Sequence, residues 1–307
     1  MKKYDVHKDY NNLQARIPMN KCLLPLLRQV TRMLYTRQAV ASSIEHRRIR
    51  ISGYNGYELP VELFSPIGME GQAPCVMYLH GGAFALPATD FHKKLVCDYA
   101  LKASCKVVFV DYRLAPKYRY PYALEDCYAA YGWMLANANE FGFDIGKIGL
   151  CGDSAGGALV ASLSQVIRDR VLKRSLFQML IYPVIDSRMK TESMKLFVDT
   201  PIWNQKKNKK MWGMYLPKTV DLNDVRYASP MAAGNFKDLP QAYIEVSEFD
   251  CLRDEGIAYY EALKKVGVDA VLNQTKGTIH GFELNYSSAY TQSIIEKRIE
   301  YMRRMWS

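Results

Sequence analysis

The sequence predicts an α/β architecture, a mostly parallel sheet with helices on both faces. Three observations carry this. Short, nearly continuous apolar runs recur at 75–79, 107–110, 148–151, 179–182, 242–246 and 270–272. Most are separated by segments with the length and composition of helices, at about 91–103, 121–139, 155–170 and 251–266. The turn Gly152-Asp153-Ser154-Ala155-Gly156 passes directly from one such run into one such helix. Strands that are apolar on both faces and alternate with helices belong to a parallel sheet covered on both sides.

The chain has 307 residues, enough to bury a large core as one domain or two smaller ones. Residues 1 to about 45 are rich in helix formers. Leu23, Leu24, Leu26, Leu27, Val30, Met33 and Leu34 recur at roughly helical spacing, so this stripe is expected to bury, as a core face or as a lid over a pocket. From Arg47 the period changes. Arg48-Ile49-Arg50-Ile51-Ser52 alternates, Gly53-Tyr54-Asn55-Gly56 turns, and Leu59-Pro60-Val61-Glu62-Leu63-Phe64 follows, which reads as a β-hairpin with Pro60 toward an edge. The strand–helix alternation then begins. It is interrupted between Val184 and Ala228, where Met189, Met194, Leu196, Phe197, Trp203, Met211, Trp212, Met214 and Tyr215 stand among lysines with no strand signal. This interval reads as a helical insertion at the C-terminal side of the sheet, where ligands bind in such folds. It would cover the site or simply pack on the body. The last segment, about 287–305, reads as a helix with Ile294, Ile295, Ile299 and Met302 on one side.

Composition narrows the functional classes. Hydrophobic residues make up 49% of the chain, a soluble globular value. No apolar run approaches the ~20 residues that span a bilayer, and the basic start Met1-Lys2-Lys3 leads into no signal core. Seven scattered cysteines without a Cys-x-x-Cys pair read as free buried thiols. A cytoplasmic location is the expectation. The net charge of +10 is densest at Lys206-Lys207-Asn208-Lys209-Lys210, and no nucleic-acid-binding signature accompanies it, so a solvated face is expected rather than a nucleic-acid partner. No His-x-His or His-Glu-x-x-His cluster suggests a metal.

The chemistry concentrates around Ser154. A Gly-x-Ser-x-Gly turn between strand and helix is a nucleophile elbow, so tight that bulk beside the serine would clash. The alternative is an ordinary small-residue turn. A serine hydroxyl is a weak nucleophile at neutral pH and needs a base, itself oriented by a carboxylate. In elbow hydrolases the acid and then the histidine follow the serine in the chain. Of the five histidines, His280 sits past the last strand, in the loop Lys276-Gly277-Thr278-Ile279-His280-Gly281-Phe282, while His7 and His46 precede the sheet and His92 opens a helix. Asp250, just past the run ending at Phe249, is the expected acid, with Glu248 the alternative. Asp254 and Glu255 fall in the first turn of the next helix, where carboxylates are expected anyway. Asp153 would point away from the serine and bond within its turn. His80-Gly81-Gly82-Ala83-Phe84 follows the strand ending at Leu79, and its small residues leave backbone N–H groups free for an oxyanion. Gly82 and Ala83, together with Ala155 after the nucleophile, are the expected donors, and Gly81 is a further candidate.

His80-Gly81-Gly82-Ala83-Phe84, Tyr112-Arg113-Leu114-Ala115-Pro116, Gly152-Asp153-Ser154-Ala155-Gly156-Gly157, Asp250-Cys251-Leu252-Arg253-Asp254-Glu255-Gly256 and Ile279-His280-Gly281-Phe282 occur in this order. Together they resemble the hormone-sensitive-lipase-like branch of α/β-hydrolase carboxylesterases, over roughly residues 45–305. Leu124-Glu125-Asp126 and Ser229-Pro230-Met231 also look like that family. The resemblance implies an α/β-hydrolase fold, hydrolysis of short- to medium-chain carboxylic esters without a cofactor, and a cap built from the N-terminal helices and the insertion. Ala83 departs from the family's third glycine. The N–H survives and the methyl is expected to alter access for bulky esters.

The expected organisation is a cap segment at 1–45, a catalytic domain at 46–185 and 227–307, and a cap insertion at 186–226. The expected function is a serine carboxylesterase using Ser154, Asp250 and His280 on a small-molecule ester. An amidase, arylformamidase or small-molecule deacetylase would use the same triad, and a non-catalytic small-molecule binding protein could share the fold. A homodimer is left open by the sequence.

Overall fold

The structure, a computed structural model, describes residues 4–13, 22–217 and 226–307. Parts of both expected cap segments, 1–3, 14–21 and 218–225, lie outside these residues. Eight strands form a single sheet in the order β1-β2-β4-β3-β5-β6-β7-β8. The hairpin β1 (Ile44–Ser52) and β2 (Glu58–Pro66) is antiparallel and joins the sheet by an antiparallel β2–β4 pairing. The rest, β3 (Ala73–Leu79), β4 (Lys106–Val110), β5 (Phe143–Asp153), β6 (Phe177–Ile181), β7 (Gln241–Phe249) and β8 (Ala270–Ile279), pair in parallel. This is the mostly parallel sheet that the apolar runs predict, in the α/β-hydrolase fold that the resemblance implies.

The helices cover both faces. On one, α3 (Tyr122–Ala136), α5 (Ala155–Asp169) and α8 (Arg253–Lys265) bury Leu124, Leu159, Leu163 and Tyr259 with Met77 and Leu150 of the sheet. On the other, α2 (Asp90–Lys102) and α9 (Ala289–Trp306) bury Leu95, Val96, Ile295, Ile299 and Met302 with Val76, Val107 and Met179. Both faces of the central strands are therefore dry, which is why those strands lack polar–apolar alternation.

Three expectations change. The helix expected at 121–139 divides at Asn137, where α3 stops and the short α4 (Ala138–Phe141) begins. The strand seen as Ala270–Leu272 runs on to Ile279 and takes in most of the loop assigned to His280. As an edge strand β8 exposes polar residues, so its apolar signal is short. The leucine-rich helix forms as α1 (Leu24–Arg37), but its stripe does not bury: Leu24 is in the core, while Leu23, Leu26, Val30, Met33 and Leu34 are exposed, Leu26 by 60%. The helix is held by buried Leu24 and Tyr35 and by Arg28, which donates to the carbonyls of Ala85 and Ala115.

The insertion contains α6 (Glu192–Leu196) and α7 (Gln205–Tyr215). It docks through Met211, Trp212 and Tyr215, with Tyr215 stacked on Phe84 at 3.7 Å. Of the lysine run on α7, Lys206, Lys209 and Lys210 are exposed, and Lys207 donates to the carbonyl of Ile202. Among the described residues no helix is long and apolar enough to cross a membrane.

Candidate active site

The elbow stands at the C-terminal end of β5, near the middle of the sheet. Ser154 has φ 54° and ψ −117°, a left-handed conformation that a side chain rarely adopts. It is held there by its neighbours: the Ser154 N–H donates to Ile181 O (2.8 Å), and Ser154 O accepts from Ala158 N (3.1 Å) and Val184 N (3.1 Å). The turn also lies hard against β3. A Cβ on Gly156 would stand 1.9 Å from Leu79 O, so only glycine permits this approach.

The end of β7 and the end of β8 bring the other two residues to the same edge. Ser154 Oγ lies 2.9 Å from His280 Nε2, and His280 Nδ1 lies 2.7 Å from Asp250 Oδ2. Asp250 is fully buried, and its second oxygen accepts from Leu252 N at 3.0 Å. That leaves Nδ1–H donating to the carboxylate and Nε2 accepting from the serine hydroxyl. Glu248, the alternative acid, is exposed and accepts from Gly277 N at 2.7 Å.

The loop after β3 runs beside the serine with three successive left-handed residues, Gly82 (φ 113°), Ala83 (φ 58°) and Phe84 (φ 54°). Among the described residues the N–H groups of Gly82 and Ala83 have no protein acceptor, and both residues line the cavity beside Ser154. The Ala155 N–H opens α5 and has no acceptor within the helix. Gly81 differs. Its N–H donates to Asp153 Oδ1 at 2.9 Å. Asp153 departs from expectation, since its bonds reach the loop after β3 and not its own turn.

The cavity beside Ser154 measures about 100 Å³. Its apolar wall comes from Leu86, Phe91, Tyr182, Ile202, Trp203 and Leu284. Ile202 and Trp203 belong to the insertion, and the Trp203 ring lies 5.8 Å from that of His280. Among the described residues no group of three or more His, Cys, Asp or Glu is arranged to hold a metal ion.

Two buried charged groups behind the site went unforeseen. Glu255 in the first turn of α8 is almost fully buried, and its Oε1 accepts from Ile185 N (2.6 Å), where the insertion leaves the sheet. Burial, then nearby Asp186 and Asp250, push its carboxyl well above the usual range despite that bond. Asp254 beside it accepts from Ser193 N at 2.6 Å. Both carboxylates therefore tie the insertion to the helix that follows Asp250. Beneath His280, the buried Arg298 of α9 pairs with Glu245 and Glu283 at 2.5 Å each. Glu283 also accepts from Tyr182 OH at 2.6 Å, and the Tyr182 ring packs 4.6 Å from that of His280. A buried arginine needs carboxylate partners. Single charged residues in an apolar run are the sequence signal for such a pairing, but the partners lie 15 and 53 positions away.

Comparison with known proteins agrees with the fold. A family profile described as alpha/beta hydrolase fold matches residues 76–284. The chain is 38% identical over 216 residues to esterase LipI of Mycobacterium tuberculosis, covering 69% of this chain and 67% of that protein. It is 35% identical over 233 residues to an arylesterase of Saccharolobus solfataricus, covering 74% and 73%. Among solved structures, a bacterial heroin esterase superposes with a TM-score of 0.90 at 29% identity, over 98% of each chain.

Proposed function

The chain belongs to the α/β-hydrolase family, and from that premise we propose that it cleaves carboxylic esters through an acyl-enzyme on Ser154. Its activity is that of a carboxylic-ester hydrolase. The observation that supports the residue roles is the unbroken line Ser154 Oγ, His280 Nε2, His280 Nδ1, Asp250 Oδ2, with links of 2.9 and 2.7 Å.

In this reading the Ser154 oxygen attacks the ester carbonyl as its proton passes to His280 Nε2. Asp250 keeps the imidazole in the Nδ1–H form and stabilises the imidazolium. The carbonyl oxygen gains negative charge, which the N–H groups of Gly82, Ala83 and Ala155 meet. The C–O bond to the alcohol breaks, and the alcohol leaves with the proton from Nε2. Water then gives its proton to the same nitrogen, attacks the acyl-serine, and the acid leaves as Ser154 is restored.

The cap consists of α1, the N-terminal residues 4–13, and the insertion with α6 and α7. Tyr4 packs on Phe197 of the insertion and Phe249 of β7, which supports this grouping. A cavity of about 100 Å³ walled by Trp203, Ile202 and Phe91 supports short to medium acyl chains. The test is hydrolysis of p-nitrophenyl esters from acetyl to palmitoyl by wild type and Ser154→Ala. Rates that peak at short chains and vanish in the variant are expected. A folded Ser154→Ala protein with wild-type rates would overturn the proposal.

A further inference from the structure

A second histidine–carboxylate pair lies on the far side of the nucleophile. Resting on the esterase reading above, we propose that His92 and Asp153 are positioning residues that hold the N–H groups of Gly82 and Ala83 where the oxyanion forms.

Asp153 immediately precedes Ser154, and its side chain is gripped from three directions. Oδ1 accepts from Gly81 N (2.9 Å) and from Tyr78 OH (2.8 Å), and His92 Nε2 lies 3.3 and 3.4 Å from the two oxygens. The tautomer of His92 follows from its other nitrogen. Nδ1 lies 2.9 Å from the Thr89 N–H, which can only donate, so Nδ1 accepts and Nε2 carries the hydrogen that points at Asp153. His92 is the third residue of α2 and completes its capping box with Thr89. Its ring is stacked on Phe91 at 3.9 Å. The start of α2 is thereby joined to the residue beside the nucleophile.

What Asp153 holds in turn is the root of the oxyanion loop. A Cβ on Gly81 would fall 2.1 Å from Asp153 Oδ2, so loop and carboxylate touch as only glycine allows. The next three residues are left-handed, and two of them are not glycine. Such backbone persists only where the surroundings over-determine it. On its C-terminal side the loop is held by Ala85 N and Leu86 N donating to Gly82 O (3.0 and 2.8 Å), and by Ala115 N donating to Phe84 O (2.8 Å). On its N-terminal side the Gly81 N–H is held by Asp153, next to Tyr112 OH donating to His80 O at 2.6 Å. Burial works to raise the Asp153 pKa, but the donors His92, Tyr78 and the Gly81 N–H oppose it and hold the carboxyl below its ordinary value. The bond to Gly81 therefore has a full negative charge as acceptor, which makes it shorter and stronger than a neutral one.

Both side chains also line the cavity, so the experiment must separate positioning from substrate contact. His92→Phe keeps a flat ring against Phe91 and removes the donor. Asp153→Asn keeps the shape and removes the charge. Each is compared with wild type and Ser154→Ala for kcat and KM on p-nitrophenyl butyrate, for inhibition by a trifluoromethyl ketone, and for thermal unfolding. The ketone adds to the serine and places an oxyanion in the hole. We expect kcat to fall about tenfold to hundredfold, inhibitor affinity to weaken by a similar factor, and KM to stay within about threefold. His92→Gln, which retains an N–H donor, should recover part of the loss even if Asp153→Asn does not fold. Wild-type kcat and inhibitor affinity in His92→Phe, or a raised KM with kcat unchanged, would overturn the positioning role while Ser154→Ala stays inactive. Full activity in Ser154→Ala would instead overturn the esterase reading and this inference with it.

Discussion

Gly156→Ala probes the join between the elbow and the strand that carries the oxyanion loop. The added methyl would lie 1.9 Å from Leu79 O, 2.6 Å from Leu79 C and 2.8 Å from His80 C, all backbone atoms with no rotamer to change. Real Cβ atoms essentially never come within 3.0 Å of another heavy atom. The start of α5 and the end of β3 must therefore part by about 1.1 Å, a displacement large enough to cost on the order of a hundredfold in rate. The two sides of that joint are Ser154 and the loop with Gly82 and Ala83, so the strain is expected in kcat more than in KM. Overpacking should also lower stability by about 1–3 kcal/mol. The control is Gly132→Ala on α3, where a Cβ meets nothing within 4 Å. It should leave kcat unchanged and match or raise stability by up to about 1 kcal/mol. Initial rates on p-nitrophenyl butyrate, with urea unfolding of each variant, give both readouts. If Gly156→Ala matched wild type in kcat and stability, the tight elbow described here would be wrong.

Two further outcomes follow from the buried charges. Arg298→Met leaves Glu245 and Glu283 facing each other without a cation, which should cost about 3–5 kcal/mol. A loss under about 1 kcal/mol by urea unfolding would show that the triad adds little support. Glu255 holds its proton more tightly folded than unfolded, so its contribution to stability is fully present below about 4.5 and is lost as pH rises through the elevated folded value. Glu255→Gln keeps an acceptor for Ile185 N and does not titrate, so its stability relative to wild type should improve as pH rises above 4.5. A difference independent of pH would show that Glu255 does not titrate there.

The parts of the fold visible in the sequence are those governed by local pattern. The parallel strands β3 to β7 appear as apolar runs because both their faces are covered, whereas β8 at the edge shows only a short one. The elbow and the position of Asp250 follow from where those runs end, while His280 is placed by its glycine-bordered loop beyond the last run. What escapes is set by partners distant in the chain. Arg298 reads as one charge among several on an amphipathic helix until Glu245 and Glu283 face it. Asp153 looks like a turn residue because the groups it binds, Tyr78, Gly81 and His92, lie 75, 72 and 61 positions earlier. The stripe on α1 misleads for the converse reason: apolar spacing predicts one face, but the helix buries Leu24 and Tyr35 and ties Arg28 to two distant backbone carbonyls.

The Arg298 triad also bears on when a newly made chain can act. Ser154 and Asp250 leave the ribosome well before His280, and Arg298 emerges later still. Until α9 folds back, Glu245 and Glu283 are two carboxylates without their cation beneath the histidine, and Tyr182 has no settled partner to brace the imidazole. In the proposed mechanism, a chain whose α9 has not yet folded back would carry Ser154 without this support for His280, and hydrolytic competence would follow the docking of α9.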